Sequence, residues 1–177
     1  MIKESFCKLS GRIINIKEIE FNKTNKEIIL RVKKFGEEYD DIIVRISNKL
    51  LTSQYNINDE ICITGKLYSY NEFIDNKNRI HIYVLADKVE KFKEKHFNSV
   101  QLNDCKIFAV KEKCNGEYSA ILTKYRDNDL KTDYFPCKFS KKHYKHIFGK
   151  KDIYINIKAE IVNTNDGYHE LIVLEVN

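Results

Sequence analysis

The chain has 177 residues, 42% hydrophobic and 32% charged, with 31 Lys and Arg against 26 Asp and Glu for a net charge of +5. That balance excludes a disordered chain, which could not bury a core, and no apolar run approaches the roughly 20 residues of a membrane helix. The positive excess is mild and spread over both halves, so a polyanion would be met by a local patch rather than a basic tail. Residues 1–10 contain no apolar leader segment, which sets the expected location as the cytoplasm. The five cysteines form no C-x-x-C pair, and Cys7, Cys62, Cys105 and Cys137 fall in alternating apolar stretches as small buried hydrophobes. Cys137 with His143 and His146 matches no standard zinc spacing, so no metal and no cofactor are expected.

Residues 6–19 open with Cys7, Leu9, Gly11 and Ile13 in one phase, then slip to Ile14 and Ile16. A one-residue slip in an alternating strand is the mark of a β-bulge. After a polar turn at 22–26, Ile28, Leu30 and Val32 alternate with Ile29, Arg31, Lys33 and Phe35. Beyond a second loop at 36–39, Ile42, Val44 and Ile46 alternate with Asp41, Ile43 and Arg45. Residues 47–56 break the alternation; Ser47 or Asn48 would cap a short helix carrying Leu50, Leu51 and Tyr55. Ile61, Ile63, Gly65 and Leu67 then form an inward phase against Cys62, Thr64, Lys66 and Tyr68. Gly65 suits a sharply coiled strand. A polar loop holding Tyr70 and Phe73 leads to Ile80, Ile82 and Val84. Three strands, a helix and two strands is the order of the five-stranded OB barrel.

Residues 94–101 are a charged and polar joint, after which the order repeats. TDYFPCKFS (132–140) lies over YDDIIVRIS (39–47), DIYINIKAE (152–160) over EICITGKLY (60–68), and YHELIVLEV (168–176) over HIYVLADKV (81–89). The expected fold class is therefore all-β with short helices, as two tandem OB barrels: 1–93, a linker at 94–101, and 102–177. A single larger mixed β domain is the alternative.

Several of these stretches match one family in order. Gly65-Lys66-Leu67, an aromatic-bearing loop from Tyr70 to Phe73, and Val84-Leu85-Ala86-Asp87-Lys88-Val89-Glu90-Lys91-Phe92 resemble strands 4 and 5 of bacterial and phage single-stranded DNA-binding proteins. Gly11-Arg12 resembles the same family's first strand, and Asp133 to Cys137 resembles its D-F-I-x-C run. The resemblance is clear over 5–92 and faint over 98–177. It implies sequence-independent binding of single-stranded DNA, no catalysis, and oligomerisation, with a dimer of two-barrel chains pooling four barrels. It also implies an acidic, Phe-tipped tail, whereas this chain ends Leu-Glu-Val-Asn on a strand, which counts against recruitment of partners through such a tail. The family often stacks bases on Trp, and here there is none.

Single strands bind OB surfaces through cations that follow the phosphates and rings that stack bases. Both must point outward. The outward set is Arg31, Lys33 and Phe35 on strand 2, Tyr39 and Arg45 around strand 3, Lys66 and Tyr68 on strand 4, and Tyr70, Phe73, Lys77 and Arg79 in the following loop. Strand faces also carry such residues simply because they suit a solvated β surface. The second half offers Ser119, Ile121, Thr123 and Tyr125 with Tyr134, Pro136 and Lys138, a poorer set, plus lysines 141, 142, 145, 150 and 151 around its helix. No Ser/His/Asp set, phosphate loop or H-E-x-x-H is present, which argues against an enzyme; Asp40 and Asp41 read as solvated turn charges. Ile-, Lys- and Asn-rich usage suits a low-GC bacterium or its mobile element. The rival to DNA binding is an OB accessory module that contacts replication or conjugation proteins. RNA stays open, since residue types do not reveal a 2′-OH contact.

Overall fold

The alternating stretches are strands. The structure, a computed structural model, describes residues 4–20, 22–34, 36–52, 54–144 and 153–177. The first half forms β1 (Phe6–Ile19), β2 (Asn22–Lys33), β3 (Tyr39–Ser47), β4 (Glu60–Ile74) and β5 (Lys77–Lys91). β1 pairs antiparallel with β2 and with β4, β2 pairs with β3, β4 neighbours β5, and β3 meets β5 in parallel at Val44↔Val84 and Arg45↔Leu85. That closes a ring in the order β1-β2-β3-β5-β4, the OB connectivity. The second half forms β6 (Asn98–Glu112), β7 (Tyr118–Arg126), β8 (Lys131–Phe139), a one-turn helix α1 (Lys141–Tyr144), β9 (Ile155–Asn163) and β10 (His169–Val176). Its ring runs β6-β7-β8-β10-β9 and back to β6, closed in parallel at Leu171↔Cys137.

The chain divides into two compact units. The amino-terminal unit is Phe6–Tyr68 with Tyr83–Ser99. The carboxy-terminal unit takes residues 4–5 and Ser69–Ile82 together with Val100–Asn177.

Within the amino-terminal unit the inward phases are fully buried: Leu9, Ile28, Leu30, Val44, Ile63 and Val84 expose no surface. Each such side chain contributes about 1.5–3 kcal/mol relative to leaving it in water. The slip in β1 is a bulge, with the register to β2 shifting between Ile13 and Asn15. The carboxy-terminal unit buries Leu122, Phe135, Ile161 and Leu171 in the same way, and its first strand shifts register between Ile107 and Ala109. Burial raises the thiols of Cys7, Cys105 and Cys137, that of Cys105 up to about 12, which makes them packing groups rather than nucleophiles.

Three expectations are corrected. No helix follows β3 among the described residues of 48–59. The Ser47 oxygens take the Leu50 and Leu51 N–H groups, but the turn goes no further. The Asn58 N–H donates to the Ile13 carbonyl, and the Asp59 carboxylate accepts from the Asn56 N–H at 2.7 Å. Asn58 itself takes a φ of 77°. Side-chain bonds of this kind compete with a helical ladder. The loop after β4 is instead a continuous hairpin: β4 runs to Ile74 and β5 starts at Lys77. Asp75 and Asn76 both hold positive φ (50° and 59°), the geometry of a two-residue hairpin turn. Asp40 is not a solvated turn charge. It is 2% exposed and paired with Lys34 at 2.8 Å.

His169 is also buried. It sits 2.8 Å from the Asn163 side-chain oxygen. Burial, then the neighbouring His81, lowers its pKa to about 4. An unfolded imidazole takes its proton near 6.5. Between those values the unfolded chain binds more protons, so stability rises with pH there. We expect the melting temperature to fall as pH drops from about 6.5 towards 4, and His169→Gln to flatten that slope. An unaltered slope in the variant would assign the acid sensitivity to other groups.

Candidate nucleic-acid interface

On the amino-terminal ring, the outward residues of β4, β1, β2 and β3 stand side by side in register. Glu60 opposes Arg12, Arg12 opposes Arg31, and Arg31 opposes Asp41. The row reads acid, base, base, acid. Like charges directly opposite are destabilising, and each arginine turns to its acid. Arg31 Nε and Nη2 donate to both Asp41 oxygens at 2.8 and 2.9 Å, and Arg12 Nη2 donates to Glu60 at 3.3 Å. The Asp41 hydrogen bonds hold the Arg31 guanidinium still more firmly protonated. Both pairs face solvent, so each adds at most about 1 kcal/mol to stability and mainly fixes orientation. One register step on, Lys33 opposes Tyr39, which is 54% exposed. Arg12, Arg31, Lys33 and Tyr39 line one groove of ≈ 510 Å³, which Phe92 and His96 line as well. Those two rings touch at 5.0 Å.

A second cluster lies on the outward phase of β3, β5 and β4. The Arg45 guanidinium sits 4.1 Å over the Tyr83 ring, and Tyr83 stacks on Tyr68 at 5.9 Å. Arg45 also meets Glu27 at 3.7 Å. A cation over a half-buried ring is worth about 0.5–2 kcal/mol. Lys66 is exposed two residues before Tyr68.

The hairpin residues belong to the carboxy-terminal unit. Tyr70 lies flat on His81 at 4.8 Å, and His81 meets the edge of Tyr168 at 5.2 Å. Arg79 lies 5.0 Å over Tyr168, and His81 Nε2 is 2.8 Å from Glu72. Phe73 is 73% exposed near the turn, and Lys77 is exposed beside it.

The outward face of β6, β7 and β8 is richer in rings than the sequence reading allowed. Phe108, 65% exposed, stands at the bulge and meets Tyr134 edge-on at 5.6 Å. Lys106 Nζ lies 4.8 Å over the ring of Tyr154, which is also exposed. Tyr125 is exposed on the same outward phase of β7 as Ile121 and Thr123.

The search of solved structures returns the wild-type single-stranded DNA binding protein from Thermus aquaticus, at a TM-score of 0.67, 12% identity, and coverage of 98% of this chain and 92% of that one. A deletion mutant of the same protein matches at a TM-score of 0.69 and 11% identity, covering 98% of this chain and 93% of that one. The chain has that protein's fold. No protein-family model matches the sequence, and no curated protein matches it.

With the OB fold established, the expected residues sort by position. Arg31, Lys33 and Tyr39 share the groove. Arg45 and Tyr68 share the second cluster through Tyr83. Tyr70 and Arg79 are engaged with His81 and Tyr168 in the other unit, while Phe73 and Lys77 stand out near the hairpin turn. Phe35 lies outside the described residues, as do His146 and lysines 145, 150 and 151. Sequence reasoning missed Arg12, Phe92 and His96 in the groove, and Phe108 and Tyr154 in the carboxy-terminal unit. Phe108 had a signal: it is a large apolar residue on the phase opposite to the buried Cys105.

Proposed function

We propose that the chain is a non-enzymatic, single-stranded DNA-binding protein built as tandem OB barrels joined near 94–101, acting in the cytoplasm in replication, repair or transfer of DNA. The observation that carries this reading is the groove on β1–β3, where Arg12, Arg31 and Lys33 stand beside the exposed ring of Tyr39. Cations for phosphates and a ring for a base, on the outward side of an OB barrel, are the two requirements of single-strand binding. The Arg45–Tyr83–Tyr68 stack extends the same chemistry. The fold likeness to a single-stranded DNA binding protein supports it. Association of two chains would pool four barrels on one strand.

The second reading, an OB module that contacts a replication or conjugation protein, rests on one observation. Arg12, Arg31 and Arg45 each already face a carboxylate, which lowers the free positive charge of the surface.

Fluorescence anisotropy with labelled oligo-dT decides between them. Tight, salt-sensitive binding that duplex DNA does not displace is the expected result, with oligo-U as the RNA comparison. No binding at micromolar protein would transfer the case to the interaction module. Lys33→Glu should lower the slope of log affinity against log salt by about one phosphate contact, and Tyr39→Ala should weaken binding by about 1–3 kcal/mol with the melting temperature held. An unchanged slope would take Lys33 off the phosphate path.

A further inference from the structure

The groove row Glu60–Arg12–Arg31–Asp41 carries two positive and two negative charges, so the attraction of the groove for phosphate falls mainly to Lys33 beside it. The row's two donors, Arg12 and Arg31, instead stand side by side between two acceptors, Glu60 and Asp41. Arg31 is gripped along its Nε–Nη2 edge by both Asp41 oxygens. A guanidinium has five N–H donors, so its remaining N–H groups, at the tip, are pre-oriented as a fork. Glu60 gives one carboxylate oxygen to Arg12, and its second oxygen can still accept. Tyr39 and Phe92, with His96 against it, supply ring surface along the same groove.

A ligand that fits must be flat, must present paired acceptors to an arginine fork, and must present donors to a carboxylate. We propose that this groove is a base-reading subsite that prefers guanine within a single strand. Guanine shows O6 and N7 as adjacent acceptors, the pairing that arginine forks recognise. Its neighbouring edge shows the N1–H and N2–H donors, which suit Glu60. An unpaired base exposes both edges at once. Thymine offers no amino donor, adenine offers N7 but no O6, and cytosine lacks the O6/N7 pair. Asp41 acts as a positioning residue through Arg31, while Arg31 and Glu60 touch the base. The inference rests on the single-strand reading above.

The test separates the two. Anisotropy is measured with a dT 20-mer and with the same 20-mer carrying one dG, dA or dC at its centre. An isolated dG avoids four-stranded structures. The dG oligonucleotide should bind about five- to tenfold more tightly than the all-dT strand, the low end of a bidentate contact because the groove is open to water. Glu60→Gln and Arg31→Lys should each bring that ratio near one. Asp41→Asn should reduce the ratio, and with it the fixed orientation of Arg31, without abolishing dT binding. Tight dT binding with no preference among the four bases overturns the guanine subsite and leaves single-strand binding standing. A preference that survives in Glu60→Gln and Arg31→Lys overturns the residue assignment. Absence of binding to every oligonucleotide overturns both readings together. Melting curves of the variants confirm that each is folded when the ratio is read.

Discussion

Gly65→Ala should cost at least about 3 kcal/mol, the upper end for overpacking a core, and a purified variant should melt roughly 10 °C or more below the parent. A Cβ built on Gly65 would stand 2.1 Å from the Leu85 carbonyl oxygen, 2.9 Å from its carbon and 3.0 Å from Ala86 Cα. All three are backbone atoms of β5, so no side-chain rotation relieves the contact. β4 would have to move away from its neighbour, and that neighbour is the strand that closes the ring onto β3. Gly36→Ala makes the comparison. Gly36 has a φ of 80° but nothing within 4 Å of an added Cβ, so it should lose only the 1–2 kcal/mol of left-handed backbone. If thermal melts place the two variants within a few degrees of each other, close strand approach at Gly65 is not what constrains that position.

The second large effect lies in the carboxy-terminal unit. Asp133 is 1% exposed. One oxygen accepts from the Ser69 N–H at 2.7 Å, and the other forms an ion pair with Arg126 Nε at 3.0 Å. Ser69 Oγ in turn accepts from the Tyr134 N–H at 2.7 Å. The carboxyl is the hub that ties a residue of β4 to β8. Burial pushes its pKa up, although the Ser69 N–H and Arg126 pull the other way. The charge itself is therefore a costly part of the arrangement, and the acceptor geometry is the useful part. Asp133→Leu should destabilise by about 3 kcal/mol, because it takes the acceptor from the buried Ser69 N–H and removes one of the two carboxylates that face Arg126. Asp133→Asn keeps an oxygen for Ser69 and leaves Arg126 its contact with Asp129 at 2.9 Å, so it should lose only about 1 kcal/mol. Denaturant melts of the two variants check this. Equal losses would mean the negative charge, not the acceptor, holds the hub.

Which parts of this were open to reading from sequence follows from how far each signal reaches. Alternation is local, and it placed the apolar inward residues of β1–β5 such as Leu9, Leu30, Val44, Ile63 and Val84. The bulge at Ile14 was visible as a slip of phase. The internal overlay reached further. It set Val44 over Cys137 and Val84 over Leu171, and those are the residues that pair where each ring closes. Charge partners were not visible, because Arg31 finds Asp41 through cross-strand register, which alternation does not encode. Asp40 was misread for a related reason. A charged pair of residues at a strand start looks solvated until Lys34 is known to fold back over it. The hairpin illustrates the limit best. Nothing local to Ser69, Tyr70 or Arg79 says that Asp133 and Tyr168, sixty to ninety residues on, will be their neighbours.

The parallel closure of the amino-terminal ring joins β3 to β5 at two residue positions, whereas β2 and β3 pair over nine. A cylinder laced so unevenly should open first along one line, and amide protons on that line should be the first to trade with solvent. Arg45 belongs to the lacing itself and also reaches across to Tyr83. A strand of nucleic acid lying over that pair would act as a suture, so occupancy of the surface and closure of the barrel become one and the same equilibrium.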